Sequence, residues 1–300
     1  MRRLCVAATL VAVAALAPLP TTTPPTGAAA AAPAPLAERA SDACGDLVPK
    51  AGGGTWECTF VDDFEGARLN RRKWIVQDTA RTGFKTGSTC YTPDQENVAV
   101  RGGALRLTAR KGEMFRCGNL LRTFTTRYTG GMVGTKGKFS QTYGRFEVRA
   151  KWPTARTSGI HGGFWMNPVE KTYGRWPESG EIDIAEWWSS RPRLALPSLH
   201  YDGRHKDVDS GWRCRIQKPS RFHTYTLVWQ KRVMRFSIDG KQCFARRWVP
   251  EPPQQAPQPF DHPFSMILNM GVGRKVGRQK VTPETEFPAR YVVDYAKAWK

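Results

Sequence analysis

The segment Trp176-Pro177-Glu178-Ser179-Gly180-Glu181-Ile182-Asp183-Ile184-Ala185-Glu186-Trp187-Trp188 sets four carboxylates in an aromatic and aliphatic run, in a chain of formal charge +20. Read as an extended strand from Glu181, alternation sends Glu181 and Asp183 to one face and Ile182 and Ile184 to the other. The isoleucines then enter a core and the acids face a groove. A regular strand would carry Glu186 to the core side, where an unpartnered carboxylate is expensive to bury. A one-residue β-bulge near Ile184-Ala185 removes the conflict, because two residues then oppose one and Glu186 returns to the acid face. The segment therefore predicts a kinked strand showing three acids in a row.

Three carboxyls at strand spacing repel one another, so at least one should hold its proton near neutral pH. An ionised carboxylate beside a protonated carboxyl is the equipment of glycoside hydrolysis. Trp165, Trp176, Trp187 and Trp188 supply flat faces on which sugar rings stack. The same acids could instead form a calcium site or a solvated edge. Calcium ligands, however, usually sit on loops rather than on a strand interleaved with isoleucine.

The rest of the chain alternates in the same way. Gly144–Trp152 (GRFEVRAKW), Ala104–Arg110, Phe222–Gln230 and the hairpin Val233–Phe244, turned at Asp239-Gly240, all read as strands. No amphipathic helix longer than ten residues is expected. Many short strands with glycine-rich turns predict an all-β sandwich or barrel.

The Glu-x-Asp-x-x-Glu pattern resembles the signature of glycoside hydrolase family 16, in its laminarinase-like branch with the bulge. Phe60–Trp74, Glu96–Ala109, Tyr143–Pro153, Pro263–Gly273 and Phe287–Trp299 are similar to other family segments in the family's order. The resemblance implies a concanavalin-like jelly roll of two antiparallel sheets, the concave one forming a substrate cleft. It implies Glu181 as nucleophile, Glu186 as general acid/base and Asp183 between them. Family members retain anomeric configuration, which requires carboxyls about 5–5.5 Å apart. Trp165, Trp176, His200, Asn97 and Arg145 fall where the resemblance places cleft residues. Trp187, beside the motif, is a further candidate for sugar contact, and Asn269, an amide on an apolar strand, is a candidate for either a cleft or a structural role. Asp63, Gly103 and Asp294 match a structural calcium site found in some members; no cofactor is expected for catalysis.

One departure is informative. Where laminarinases usually read Gly-x-Trp-Pro-Ala, this chain reads Gly159-Ile160-His161-Gly162-Gly163. His161 then stands in place of an aromatic sugar platform. The leading expectation is an endo-acting hydrolase of β-1,3- or β-1,3/1,4-glucan. A transglycosylase, a galactan or sulfated-galactan hydrolase and a non-catalytic lectin are the alternatives on this fold.

Residues 1–32 carry a positive start, an apolar run and an Ala/Pro tail, the pattern of an export signal. Residues 33–43 read as a disordered Ala/Pro linker, and 44–300 as one catalytic domain. Secretion, no membrane anchor and a monomer follow as expectations. Six cysteines beyond the signal suggest three disulfides, with sequence neighbours paired: 44–58, 90–117 and 214–243. Basic residues are spread along the chain without a recognition-helix pattern, so a polysaccharide rather than nucleic acid is the expected partner.

Overall fold

The computed structural model describes residues 40–300 except 275, 276 and 278, and the expected export signal lies outside these residues. Its strands are β1 (Ser41–Asp42), β2 (Gly45–Asp46), β3 (Cys58–Asp62), β4 (Ile75–Val76), β5 (Cys90–Tyr91), β6 (Val98–Val100), β7 (Leu105–Gly118), β8 (Thr123–Gly134) and β9 (Gly144–Lys151). They continue as β10 (Ile160–Pro168), β11 (Glu181–Trp188), β12 (Ala195–His200), β13 (His223–Gln230), β14 (Val233–Ile238), β15 (Lys241–Arg246), β16 (Phe264–Val272) and β17 (Ala289–Trp299). The one helix among the described residues is α1 (Thr79–Thr82), capped by Asp78 and ended by Gly83 in the left-handed region.

Hydrogen bonding orders the main path β12-β11-β10-β16-β8-β7-β17-β9-β13-β14-β15. The long strands β7 and β8 make the corner. The first half of β7 pairs with β17, its second half with β8, and the end of β8 pairs with β16. One continuous, almost wholly antiparallel ladder thus folds over into the two layers of a jelly roll, as the alternating pattern predicts.

The core lies between the layers. Phe164, Met166, Ile182, Leu199, Met266, Leu268 and Met270 face inward from one side, and Phe146, Val148, Tyr225, Leu227, Trp229, Tyr291 and Val293 from the other. Aromatic rings join the layers: Trp229 meets Phe264 edge-on at 5.3 Å, and Trp152 stacks on both Trp187 (5.6 Å) and Tyr291 (4.1 Å). Burial of these apolar faces supplies the main driving force for closing the sandwich.

Disulfides join Cys44 to Cys58, Cys90 to Cys117 and Cys214 to Cys243, the neighbour pairing expected. The expected linker is corrected at its end. Ser41–Asp42 pairs with Gly45–Asp46, so ordered backbone begins before Cys44.

Trp187 is expected to be a structural keystone because its whole surface is buried and its ring spans the layers. Trp187→Ala should lower unfolding free energy by about 3–5 kcal/mol, the usual cost of emptying a large aromatic site, measured by chemical denaturation. A loss below about 1 kcal/mol would contradict this packing role.

Candidate active site

The bulge sits where the sequence asks for it. Against β10, Ala185 pairs with Phe164 but Asp183 pairs with Trp165, leaving Ile184 as the extra residue. Against β12 the same shift falls between Asp183 and Glu186. Parity reverses across it. Odd positions Glu181 and Asp183 face the cleft before the bulge, and even positions Glu186 and Trp188 face it afterwards. Ile182, Ile184, Ala185 and Trp187 are all buried.

The three acids line one cavity of about 270 Å³ with His161, Trp165, Trp188, His200 and Asn269. Neighbouring strands deliver each partner. His200, opposite Glu181 on β12, places Nε2 2.8 Å from Asp183 Oδ2 and 3.8 Å from Glu181 Oε1. His161, opposite Trp188 on β10, places Nε2 3.2 Å from Glu186 Oε1 and its ring 4.1 Å from the indole. Trp165 Nε1 donates to Asn269 Oδ1 at 3.0 Å, and Asn269 Nδ2 donates to the Tyr91 hydroxyl at 3.2 Å. That chain fixes the indole and gives both the oxygen and the nitrogen of a buried amide a partner. Trp176 is 60% exposed, with its ring 5.7 Å from that of His200.

Burial and the charges of Asp183 and Glu186 push Glu181 up to about 8, with His200 acting in the opposite direction. Burial likewise raises Asp183 above the usual carboxylate range, although His200 offsets part of the effect. Burial opposes ionisation of Glu186 too. There the hydrogen bond and charge of His161, with a bond from Trp188, outweigh it and hold the carboxyl below its ordinary range. For His200, burial disfavours the imidazolium, but Asp183 and Glu181 outweigh it and raise its affinity for a proton. In the resting cleft the Glu181–Asp183–His200 group therefore keeps a proton while Glu186 tends to be anionic. These groups titrate together, so the proton belongs to the cluster.

Three expected cleft residues lie elsewhere. Trp187 is in the core, stacked on Trp152 with Nε1 donating to Pro192 O at 3.0 Å. The parity reversal that turns Glu186 outward necessarily turns Trp187 inward, and Trp188 holds the aromatic position in the cleft. Asn97 is buried and its amide is fully used, donating to Thr108 O and Thr129 Oγ1 and accepting from Thr92 Oγ1. Arg145 lies on β9 in the opposite layer, bonded to Glu147 and over the Trp299 ring.

The sequence reading did not single out Asn167, whose Nδ2 reaches Glu181 Oε2 at 3.5 Å. It lies two residues beyond Trp165 on β10, so alternation could have found it. Arg274, which also lines the cavity, has no comparable signal because it sits outside any strand.

Among the positions matched to calcium, Asp294 already has a partner. Asp294 is held by Arg149 at 2.6 Å, so a cation would have to displace a guanidinium. Asp63 is exposed, and the carboxylate near Gly103 belongs to Glu65.

The model of glycosyl hydrolases family 16 matches residues 86–297. The chain belongs to this family. It is 31% identical over 255 residues to the β-glucanase of Rhodothermus marinus, covering 82% of this chain and 85% of that protein. It is 29% identical to glucan endo-1,3-β-glucosidase A1 of Niallia circulans over 80% of its own length, but spans only 37% of that longer protein. The X-ray structure of the Rhodothermus marinus laminarinase superposes with a TM-score of 0.67 at 32% identity, covering 82% of this chain and 97% of that one. As a family 16 glycosidase, the chain has its three signature acids assembled in one cleft.

The raised titration of Glu181 has a sign in folding. A carboxyl whose folded value exceeds its unfolded one favours folding fully below about 4.5, and that contribution is lost as pH rises through about 8. Thermal melting of the wild type should therefore fall over this window relative to Glu181→Gln, which carries no titrating group there. Parallel pH profiles for the two proteins would contradict the assignment.

Proposed function

We propose that this protein is a secreted, endo-acting β-glucan hydrolase, cleaving β-1,3- or β-1,3/1,4-linkages with retention of anomeric configuration. The observation that carries this reading is the bulge, which turns Glu181 and Glu186 toward one cleft across Asp183. Support for the substrate comes from similarity to the β-glucanase and the glucan endo-1,3-β-glucosidase named above. Three disulfides support an oxidising destination. Among the described residues no helix is long and apolar enough to cross a membrane. The reading takes the protein as a monomer with a polysaccharide partner and no nucleic acid.

In the proposed cycle the Glu181 carboxylate attacks the anomeric carbon as Glu186 protonates the departing oxygen, giving a glycosyl-enzyme ester. Glu186 then takes a proton from water, which attacks the same carbon and frees Glu181. The resting protonation pattern is the reverse of what the first step needs. Substrate entry must therefore shift the group's proton off Glu181 and leave another on Glu186. His161 Nε2, 3.2 Å away, is placed to exchange it. His200, bonded to Asp183, can accept the proton released as Glu181 ionises.

No catalytic step is assigned to a metal. A structural calcium at Asp63, Gly103 and Asp294 stands as a separate proposal that requires Asp294 to leave Arg149. If it binds, chelation lowers the melting temperature; if the ion pair persists, chelation leaves it unchanged.

Glu181→Gln should reduce laminarin hydrolysis by about 10³-fold or more while preserving oligosaccharide binding. NMR of the first wild-type products should show the β-anomer. Near-full activity in the variant, or α-anomeric products from the wild type, would remove this mechanism.

A further inference from the structure

The catalytic cavity opens into a second groove of about 810 Å³, and both are lined by Glu186, Trp188, His200 and Arg274. Beyond those shared residues the groove changes character. Arg191, Arg204 and Lys206 line it with Trp212, and its one acid is the catalytic Glu186. The Arg191 guanidinium lies over the Trp212 ring at 5.5 Å and the Lys206 ammonium at 5.7 Å.

This differs from the ion pairs in the opposite layer. Arg145 and Arg149 each meet a carboxylate. Arg191, Lys206 and Arg274 are exposed and have no carboxylate ion pair among the described residues. An aromatic face orients a cation without cancelling its charge, so both heads remain available to an anion. Arg204 is spent on structure, donating to Leu199 O and Ser210 Oγ, and takes no part in the argument.

The platform is anchored to the fold. Trp212 Nε1 donates to Lys206 O at 3.4 Å, Ala195 N donates to Cys214 O at 3.1 Å, and the Cys214–Cys243 disulfide ties this loop to β15. The positive lining also continues outward. Arg191 belongs to a neighbouring cavity of about 520 Å³ together with Arg193, Arg215, Lys218 and Arg221, and no acid lines it.

We propose that the groove of Arg191, Lys206, Arg274 and Trp212 is a subsite for an anionic substituent, sulfate or carboxylate, on the β-linked chain cleaved at Glu181 and Glu186. The inference rests on the glycosidase reading and adds the charge of the substrate. A carbohydrate fits better than nucleic acid because the path continues into a pocket of three carboxyls, which would repel a phosphate backbone. A neutral sugar ring can enter there while its charged neighbour stays with the cations.

Binding separates this from the catalytic claim. Calorimetry on full-length Glu181→Gln protein would compare laminarin with sulfated laminarin and with C6-carboxylated laminarin. At least one anionic form should bind about tenfold more tightly than the neutral chain at low salt, an advantage of roughly 1.4 kcal/mol that shrinks as screening rises. Whichever form leads identifies the substituent. Adding Arg191→Gln and Lys206→Gln, with unchanged melting to show that the fold persists, should remove most of the advantage. Equal binding of all three glucans overturns the subsite, as does an advantage that survives the double substitution. Competition by a single-stranded oligonucleotide as strong as by the anionic glucan also overturns it, in favour of a general polyanion surface. Anionic preference in binding with no wild-type hydrolysis of any of the three would sink the catalytic reading and leave the subsite standing.

Discussion

One extra residue in β11 decides what this cleft can do. Glu181 and Glu186 are separated by an odd number of positions, so regular alternation would place them on opposite faces. With Ile184 bulged, they share a face, and Ile182, Ala185 and Trp187 still reach the core. Removing the bulge would set Glu186 among Trp152 and its apolar neighbours, where ionisation is strongly disfavoured, and would turn Trp187 into water. The kink thus serves both sides of the layer: it gathers the acids and keeps the inter-layer aromatic stack closed.

The two histidines give chemically similar carboxyls different environments. His200 lies beside Asp183 and Glu181, within a group that retains a proton; His161 lies on Glu186 and favours its anion. Both come from neighbouring strands, in register with Glu181 and Trp188, so backbone pairing sets the electrostatics. The substrate would have to redistribute protons among five titratable groups rather than find an acid and a base already set. Such coupling suits a site whose acid must become a base within one cycle.

Much of this was legible in the sequence because period-2 alternation and the cost of a buried acid are local constraints. They located the strand, the bulge and the three acids, and His161 and His200 proved to be in the cleft. Trp187 was misplaced although the same parity rule assigns it to the core; Trp188 was the residue that rule brings outward. Asn97 and Arg145 could not be placed by alternation alone, since it tells inner from outer face and not one layer from the other. Their surroundings depend on long-range pairing of β7, β9 and β17, which no short window contains. The basic groove was hidden for the same reason: Arg191, Lys206, Trp212 and Arg274 lie outside the strands in segments far apart in sequence, and only the folded chain brings their charges to one place.

The most direct measurement is a crystal structure of Glu181→Gln with a β-glucan oligosaccharide spanning the cleft. The account predicts one glycosidic bond flanked by both side chains, with the substituted amide at position 181 facing the anomeric carbon and Glu186 within hydrogen-bond reach of the bridging oxygen. A sugar bound away from these residues, or Glu186 directed into the interior beside Trp152, would contradict it.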